Sequence, residues 1–150
     1  MGLWNDSYAT GNELVDDDHK SIFMLVESVL LSAYMDRKEK IETAIEFLAS
    51  YVVRHFANEE RLMEASGYPD IDAHKKEHAD FLEAATQLQE TFATDGFIFG
   101  EKNDTHDLHI SMIINKTVVG WLEKHVMGSD QLMAQHYREW NKNYSTKVGT

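Results

Sequence analysis

The stretch His74-Lys75-Lys76-Glu77-His78 places two histidines four residues apart. In a helix this spacing brings both imidazoles to one face, one turn from each other. Such a pair can hold a single metal ion, because imidazole binds zinc, copper, iron and nickel. The pair alone is a modest signal, so the sequence around it decides what the stretch means.

Around this stretch, apolar residues recur every three or four positions in four segments, which predicts four amphipathic helices. The second segment runs from about residue 37 to 65. It stops at Ser66-Gly67-Tyr68-Pro69, where glycine caps a helix and proline cannot continue one. The third segment begins after Asp70, and the fourth begins near Asp104 or Thr105. Four such helices predict an all-α, up-down-up-down four-helix bundle.

The chain is expected to form a single domain over residues 1–150, since this length suffices for one hydrophobic core. We divide it into an N-terminal arm at 1–15, the bundle at 16–130 and a short C-terminal helical extension at 131–150. The arm contains aromatic residues, including Trp4 and Tyr8, which we expect to pack onto the bundle.

Composition excludes several partners and kinds of site. The 26 acidic and 14 basic residues give a net charge of −12, which argues against nucleic acid and an anionic membrane surface as partners. Because there is no cysteine, any metal must sit on nitrogen and oxygen ligands. The N-terminus lacks the pattern of a signal peptide, and no apolar run approaches the roughly 20 residues of a membrane span. We therefore expect a cytoplasmic protein without membrane insertion.

Polar residues occupy inward positions on all four predicted helices. They are His19, His55, Glu59, His74, His78 and His125. One buried histidine is more often a hydrogen-bonded core residue than a ligand. Five of them on four facing helices, with a carboxylate one turn from His55, indicate a metal site, since buried charges need partners or metals.

Periodicity alone leaves the role of Asp130 open. It follows His125 by five residues, which is about 140° around an ideal helix. Both side chains could face one site only if the helix loosened between them, and Gly128-Ser129 is where that could happen.

Counting ligand positions favours a pair of metal ions. Two octahedral ions that share one solvent-derived bridge leave ten positions, of which five histidines fill half. Glu59 and Asp130, each bridging both ions, fill four more, and one remains for a small exogenous molecule. Nitrogen-rich ligation suits redox-active iron better than magnesium or calcium. Ligand type alone does not exclude zinc, although zinc usually takes four ligands.

These residues resemble the hemerythrin family, in particular its single-domain bacterial members. The motifs are Asp16-x-x-His19, His55-Phe56-x-x-Glu59-Glu60, Gly67-Tyr68-Pro69, His74-x-x-x-His78 and Trp121-x-x-x-His125-x-x-x-x-Asp130. They occur in the family's order, and their combination is far more specific than any one of them.

The resemblance implies a bundle with two iron ions, in a non-haem, oxo/hydroxo-bridged di-iron centre that binds O2 reversibly. The implied metal ligands are His19, His55, Glu59, His74, His78, His125 and Asp130. His74, His78 and His125 would hold one iron, and the other two histidines would hold the second, where O2 binds. Glu59 and Asp130 would bridge the irons, so the resemblance assigns Asp130 as a ligand.

The resemblance also implies a hydrophobic O2 pocket. Its lining would be Ile22, Phe56, Trp121, Leu122 and Val126. A dry apolar cavity would keep out the water and anions that promote oxidation of the iron, although packing alone accounts for these residues equally well. Asp16 would either accept a hydrogen bond from His19 or cap the first helix.

We therefore expect a monomeric oxygen carrier, store or delivery protein rather than an enzyme, because no general base or nucleophile stands apart from the ligands. The alternative is a module that senses O2, nitric oxide or redox state and acts through a protein partner. A zinc hydrolase with Glu77 as its base would leave three histidines unused. An iron store or ferroxidase of the ferritin type would use Glu-x-x-His motifs, which this sequence lacks.

Overall fold

The computed structural model describes residues 2–34, 38–94 and 115–148, and every regular element in these ranges is helical. A short 3-10 helix precedes four long helices. They are α1 (Glu13–Tyr34), α2 (Lys38–Ser66), α3 (Ile71–Thr94) and α4 (residues 115–148). The predicted all-α four-helix bundle is confirmed. The predicted start of the fourth helix, and most of the predicted connection at 93–104, lie outside the described residues.

The turn between α2 and α3 forms where the sequence predicts it. Gly67 adopts a left-handed backbone with φ +64°. The Tyr68 N–H donates to the Met63 carbonyl at 2.9 Å, and the Gly67 N–H donates to the Glu64 carbonyl at 3.3 Å. These two bonds make a Schellman motif, which satisfies the last carbonyls of α2 and needs a left-handed residue just after the helix.

The N-terminal arm is shorter than predicted, because α1 begins at Glu13 instead of Asp16. The Asp16 carboxylate accepts hydrogen bonds from the Thr10 N–H (2.6 Å), the Thr10 hydroxyl (2.7 Å) and the Gly11 N–H (3.1 Å). Asp16 therefore fills neither of its two predicted roles. Its hydrogen bonds tie the arm to the first turns of α1 and do not reach His19.

The aromatic residues of the arm pack onto the bundle, as predicted. Tyr8 stacks on Phe23 with ring centroids 5.0 Å apart, and Trp4 meets the same ring edge-on at 5.9 Å. The Tyr8 hydroxyl donates to Glu123 Oε1 at 3.0 Å. The arm thereby connects α1 to α4.

The helix α4 contains two π-helical turns. Its segments are, in order, Asn115–Val119 (π), Gly120–His125 (α), Val126–Asp130 (π) and Gln131–Val148 (α). His125 and Gln131, which flank the second π turn, keep right-handed helical backbone angles, so the helix is continuous there. A π turn holds more residues than an α turn and therefore rotates the positions that follow it. The predicted loosening at Gly128-Ser129 is present as this second π turn.

Two apolar clusters fill the bundle on either side of a polar layer. The larger contains Ile22, Phe23, Val26, Val29, Ile45, Leu48, Val52, Phe56, Phe81, Val118, Val119, Leu122 and Val126. The smaller contains Val15, Met63, Tyr68 and Met133. On α1, for example, His19 lies between Val15 of one cluster and Ile22 of the other. Among the described helices, none is long and apolar enough to cross a membrane.

Candidate metal centre

The polar layer contains seven buried side chains, and these are the seven predicted metal ligands. They are His19, His55, Glu59, His74, His78, His125 and Asp130. Their nitrogen and oxygen atoms form two clusters, in each of which the atoms lie within 4.8 Å of one another. We call His74, His78 and His125 the three-histidine group, and His19 and His55 the two-histidine group. Glu59 and Asp130 belong to both clusters.

Helical geometry accounts for this convergence. On α2 and on α3 the two layer residues are four positions apart, so they share one face. On α4 the interval from His125 to Asp130 is five, and it falls across the second π turn. Since a π turn closes after about five residues, both side chains point into the layer. His125 Nε2 and Asp130 Oδ1 lie 3.0 Å apart.

The atoms of the three-histidine group surround one common point. His78 Nε2 and His125 Nε2 lie 3.1 Å apart. Asp130 Oδ1 lies 3.2 Å from His74 Nε2, and Glu59 Oε2 lies 3.2 Å from His78 Nε2. Two atoms bound at right angles to an ion about 2.1 Å away are about 3.0 Å apart. These spacings are those of neighbouring ligands around one octahedral ion.

The two carboxylates offer their other oxygens to the two-histidine group. Asp130 Oδ2 lies 3.1 Å from His19 Nε2. Glu59 Oε1 lies 3.5 Å from His55 Nε2 and 3.8 Å from His19 Nε2. Each carboxylate therefore presents one oxygen to each histidine group, which is the arrangement of a carboxylate that bridges two ions.

Unpartnered polar atoms in the layer test whether it fits metal ions. Nine buried nitrogen and oxygen atoms have no hydrogen-bond partner in the part of the chain that the structure describes. They include both oxygens of Glu59 and of Asp130, and both ring nitrogens of His19 and of His74. An unsatisfied buried polar atom costs about 1–3 kcal/mol, so nine at one place indicate a binding site. These nitrogen and oxygen donors fit a pair of metal ions.

The opposed charges of the layer shift the pKa values of its members. Burial and the Asp130 carboxylate raise the pKa of Glu59, but the surrounding histidines, led by His55, lower it to about 2. Burial lowers the pKa of His74, but Asp130 and Glu59 raise it to about 9. In spite of burial, contacts with histidines hold the pKa of Asp130 well below its usual value. Both carboxylates are therefore anionic at neutral pH, which is the form that binds metals.

Two glutamates contact the outer edges of the three-histidine group, and neither was predicted in this role. His125 Nδ1 donates to Glu77 Oε2 at 2.6 Å, and His78 Nδ1 lies 3.2 Å from Glu60 Oε1. Each glutamate is adjacent in sequence to a predicted ligand, but the ring it meets belongs to another helix. The spacing of residues within one helix does not predict such a contact. Outer partners of this kind fix the orientation of a ligand histidine.

The two-histidine group has a different outer partner, Asp18, which was also not predicted. Asp18 Oδ2 lies 3.6 Å from His55 Nδ1, which is beyond hydrogen-bond length. Tyr51 and Asn58 each donate to the Asp18 carboxylate at 2.9 Å. The neighbouring His55 ring and these donors hold the pKa of Asp18 well below its usual value, against the effect of burial.

The residues predicted to line an O2 pocket lie in or against the larger apolar cluster. They are Ile22, Phe56, Trp121, Leu122 and Val126. Phe56 stacks on the His78 ring at 3.7 Å, and Trp121 stacks on the His125 ring at 4.3 Å. These two aromatic residues therefore cover the three-histidine group.

Comparison with known proteins identifies relatives over most of the chain. A bacteriohemerythrin from Methylococcus capsulatus is 31% identical over 125 residues, which are 83% of this chain and 87% of that protein. A myohemerythrin from Theromyzon tessulatum is 28% identical over 127 residues, covering 85% and 86% of the two chains. The crystal structure of a hemerythrin mutant has a TM-score of 0.73 and 28% identity, and the match covers 91% of this chain and 98% of that one.

A family model extends the same relationship. The model described as the hemerythrin HHE cation binding domain matches residues 10–137, which include all seven residues of the polar layer. The four helices, the buried nitrogen and oxygen donors and this match agree with one another. The chain belongs to the hemerythrin family.

Proposed function

We propose that this protein is a monomeric, single-domain oxygen carrier or store that binds O2 reversibly at a non-haem di-iron centre. The observation that carries the proposal is the pair of buried histidine groups that share both carboxylates. Membership of the hemerythrin family supports it, because the family resemblance implies iron and O2. The two irons, when bound, would supply the electrons for reversible O2 binding.

The chain would hold one iron with each histidine group, and Glu59 and Asp130 would contribute one oxygen to each. The two groups supply different numbers of nitrogens, so an iron held by the two-histidine group would have one position fewer filled by protein. That position would accept O2. This difference in the number of histidines follows from the ligand residues themselves and does not depend on which residues line the pocket.

Apolar packing around the layer supports reversible binding without turnover. His19 and His55 are almost fully buried, and the larger apolar cluster begins one turn away on α1, at Ile22. Burial of this kind excludes water and anions from the site. Ile22, Phe56, Trp121, Leu122 and Val126 would line the O2 pocket, and Phe56 and Trp121 would also cover the three-histidine group.

The position of Glu77 favours binding over hydrolysis. In the hydrolase reading of His74-x-x-Glu77-His78, this carboxylate would be a free base beside the metal. Instead it accepts hydrogen bonds from His125 Nδ1 and the Ser129 hydroxyl. Its protein partners therefore account for Glu77 without a catalytic role.

An absorption spectrum of the iron-loaded protein tests the proposal. We expect two irons per chain by elemental analysis, and absorption bands that fade when O2 is removed under argon and return when it is readmitted. Asp130→Asn, prepared in the same way, is the matched control and should show no O2-dependent bands. A colourless wild-type protein with one zinc ion would contradict the proposal, and so would bands that do not respond to O2.

A further inference from the structure

We propose that Glu77 and Ser129 form a latch that holds the second π turn of α4 and thereby positions Asp130. Ser129 precedes Asp130 and lies inside the turn Val126–Asp130. Its hydroxyl donates to the Glu77 carboxylate, with Oγ 2.8 Å and 2.9 Å from the two oxygens. Glu77 lies on α3, so the latch joins two helices at the point where α4 departs from α geometry.

The latch acts at both ends of the π turn. The same Glu77 carboxylate that accepts from Ser129 also accepts from His125 Nδ1, at 2.6 Å. His125 immediately precedes the π turn, and Ser129 is its penultimate residue. One side chain of α3 therefore contacts the residue before the widened turn and a residue near its end, and it constrains how the backbone winds between them.

The width of this turn decides where Asp130 points. In an ideal α-helix, a residue five positions after His125 lies about 140° away from it. A return to α geometry would therefore turn the Asp130 carboxylate away from the histidines. Its Oδ1 lies 3.0 Å from His125 Nε2 and its Oδ2 lies 3.1 Å from His19 Nε2 only because the turn is wide. Glu77 and Ser129 are thus positioning residues that act through Asp130 on both histidine groups.

No steric feature of the glycine in this turn accounts for its shape. A Cβ added at Gly128 would meet nothing within 4 Å, and Gly128 is not among the glycines with positive φ. Glycine weakens the helix at this point relative to alanine, without selecting the π form. We assign the choice of the π form over the α form to the contacts of Glu77 with His125 and Ser129.

Hydrogen exchange on the purified full-length protein tests the latch directly. We expect Ser129→Ala and Glu77→Ala each to raise exchange of the amides at 126–131 about tenfold, because the turn opens locally. The double variant should exchange no faster than the faster single one, since both residues form one unit. Ser129→Thr keeps the hydroxyl and should restore the wild-type rate.

Metal affinity supplies a second measurement, which rests on the proposed di-iron function. Ser129→Ala should weaken both ions about 10–100-fold in a chelator competition, because Asp130 serves both groups. The matched control Glu60→Gln lies beside His78 and Lys75, both on α3, so it should weaken one ion and leave exchange at 126–131 unchanged.

Three outcomes would overturn the latch. They are unchanged exchange in Ser129→Ala, faster exchange spread evenly over α2 and α4, and failure of Ser129→Thr to restore the rate. If the wild-type chain binds no pair of ions, the proposed function fails, and the exchange data still decide the latch.

Discussion

The three-histidine and two-histidine groups differ in what holds the outer edges of their rings. Glu60 and Glu77, which contact the first group, have side chains that are 31% and 45% exposed. Asp18, which faces the second group, is 8% exposed and accepts hydrogen bonds from Tyr51 and Asn58. Water therefore solvates the outer carboxylates of one group, whereas protein donors replace water around the other.

Two chemically similar carboxylate–histidine contacts therefore depend on different environments. A carboxylate that reaches water stays hydrated even if the histidine beside it moves or is substituted. A buried carboxylate depends on its protein donors, and its loss leaves those donors unpaired. We therefore expect the two-histidine group to be more sensitive to substitution of its outer partner.

The largest effect should come from the atoms that the two groups share. Asp130→Ala removes one oxygen from each group, and it should reduce the bound metal from two ions per chain to fewer than one, measured by elemental analysis after dialysis. His78→Ala, which removes a ligand of one group only, should lower metal content less and should lower the melting temperature with it. Equal stoichiometry in Asp130→Ala and the wild type would show that the carboxylate is not shared.

The outer carboxylates offer the next largest effect. Asp18→Asn should lower the affinity for one metal ion about 100-fold, whereas Glu60→Gln should lower the affinity for one ion about 10-fold. The physical reason is the burial of Asp18 among fixed donors. Chelator competition on both variants measures the difference. A larger loss of metal affinity in Glu60→Gln than in Asp18→Asn would contradict the greater sensitivity expected of the two-histidine group.

A pH series on the metal-free chain separates protonation from metal binding. The pKa of His74 is raised from 6.5 to about 9 by Asp130 and Glu59, against burial. A raised pKa stabilises the fold below the unfolded value of about 6.5, and this contribution is lost as the pH rises through about 9. The metal-free protein should therefore melt at progressively lower temperature between these pH values.

The metal-loaded chain is the control for that series. Its His74 nitrogen is occupied by metal in the proposed centre, so its melting temperature should change less over the same range. Thermal melts followed by circular dichroism measure both forms. Parallel curves for the loaded and metal-free chains would contradict the raised pKa.

The smallest effect should come from a single donor to Asp18. Tyr51→Phe removes one hydroxyl whose oxygen lies 2.9 Å from Asp18 Oδ1, and it should cost about 1 kcal/mol of unfolding free energy. Tyr144→Phe makes the same change at a residue that is 56% exposed, and it should be close to neutral. Urea denaturation compares the two variants, and equal midpoints would mean that the Tyr51 hydroxyl contributes nothing to the buried network.

The helices and most of the layer could be predicted because their signals are local. The stripe that contains His55 and Glu59 follows the period of one helix, and α2 begins and ends within a residue of its predicted bounds. The start of α1 could not be predicted in this way. It depends on Thr10 and Gly11 bonding back to Asp16, and a run of three acids looks equally suitable as a helix start.

The fold class, the family resemblance and six inward polar residues could be predicted from the amino-acid sequence, because helical periodicity places residues three and four apart on one face whatever the neighbouring helices do. The way in which Asp130 reaches the layer, and the carboxylates that contact the outer edges of the histidine rings, became visible in the three-dimensional structure. Those features depend on contacts between helices, such as Glu77 of α3 with Ser129 of α4. Such contacts join residues that are far apart in sequence, so no repeat within one helix encodes them.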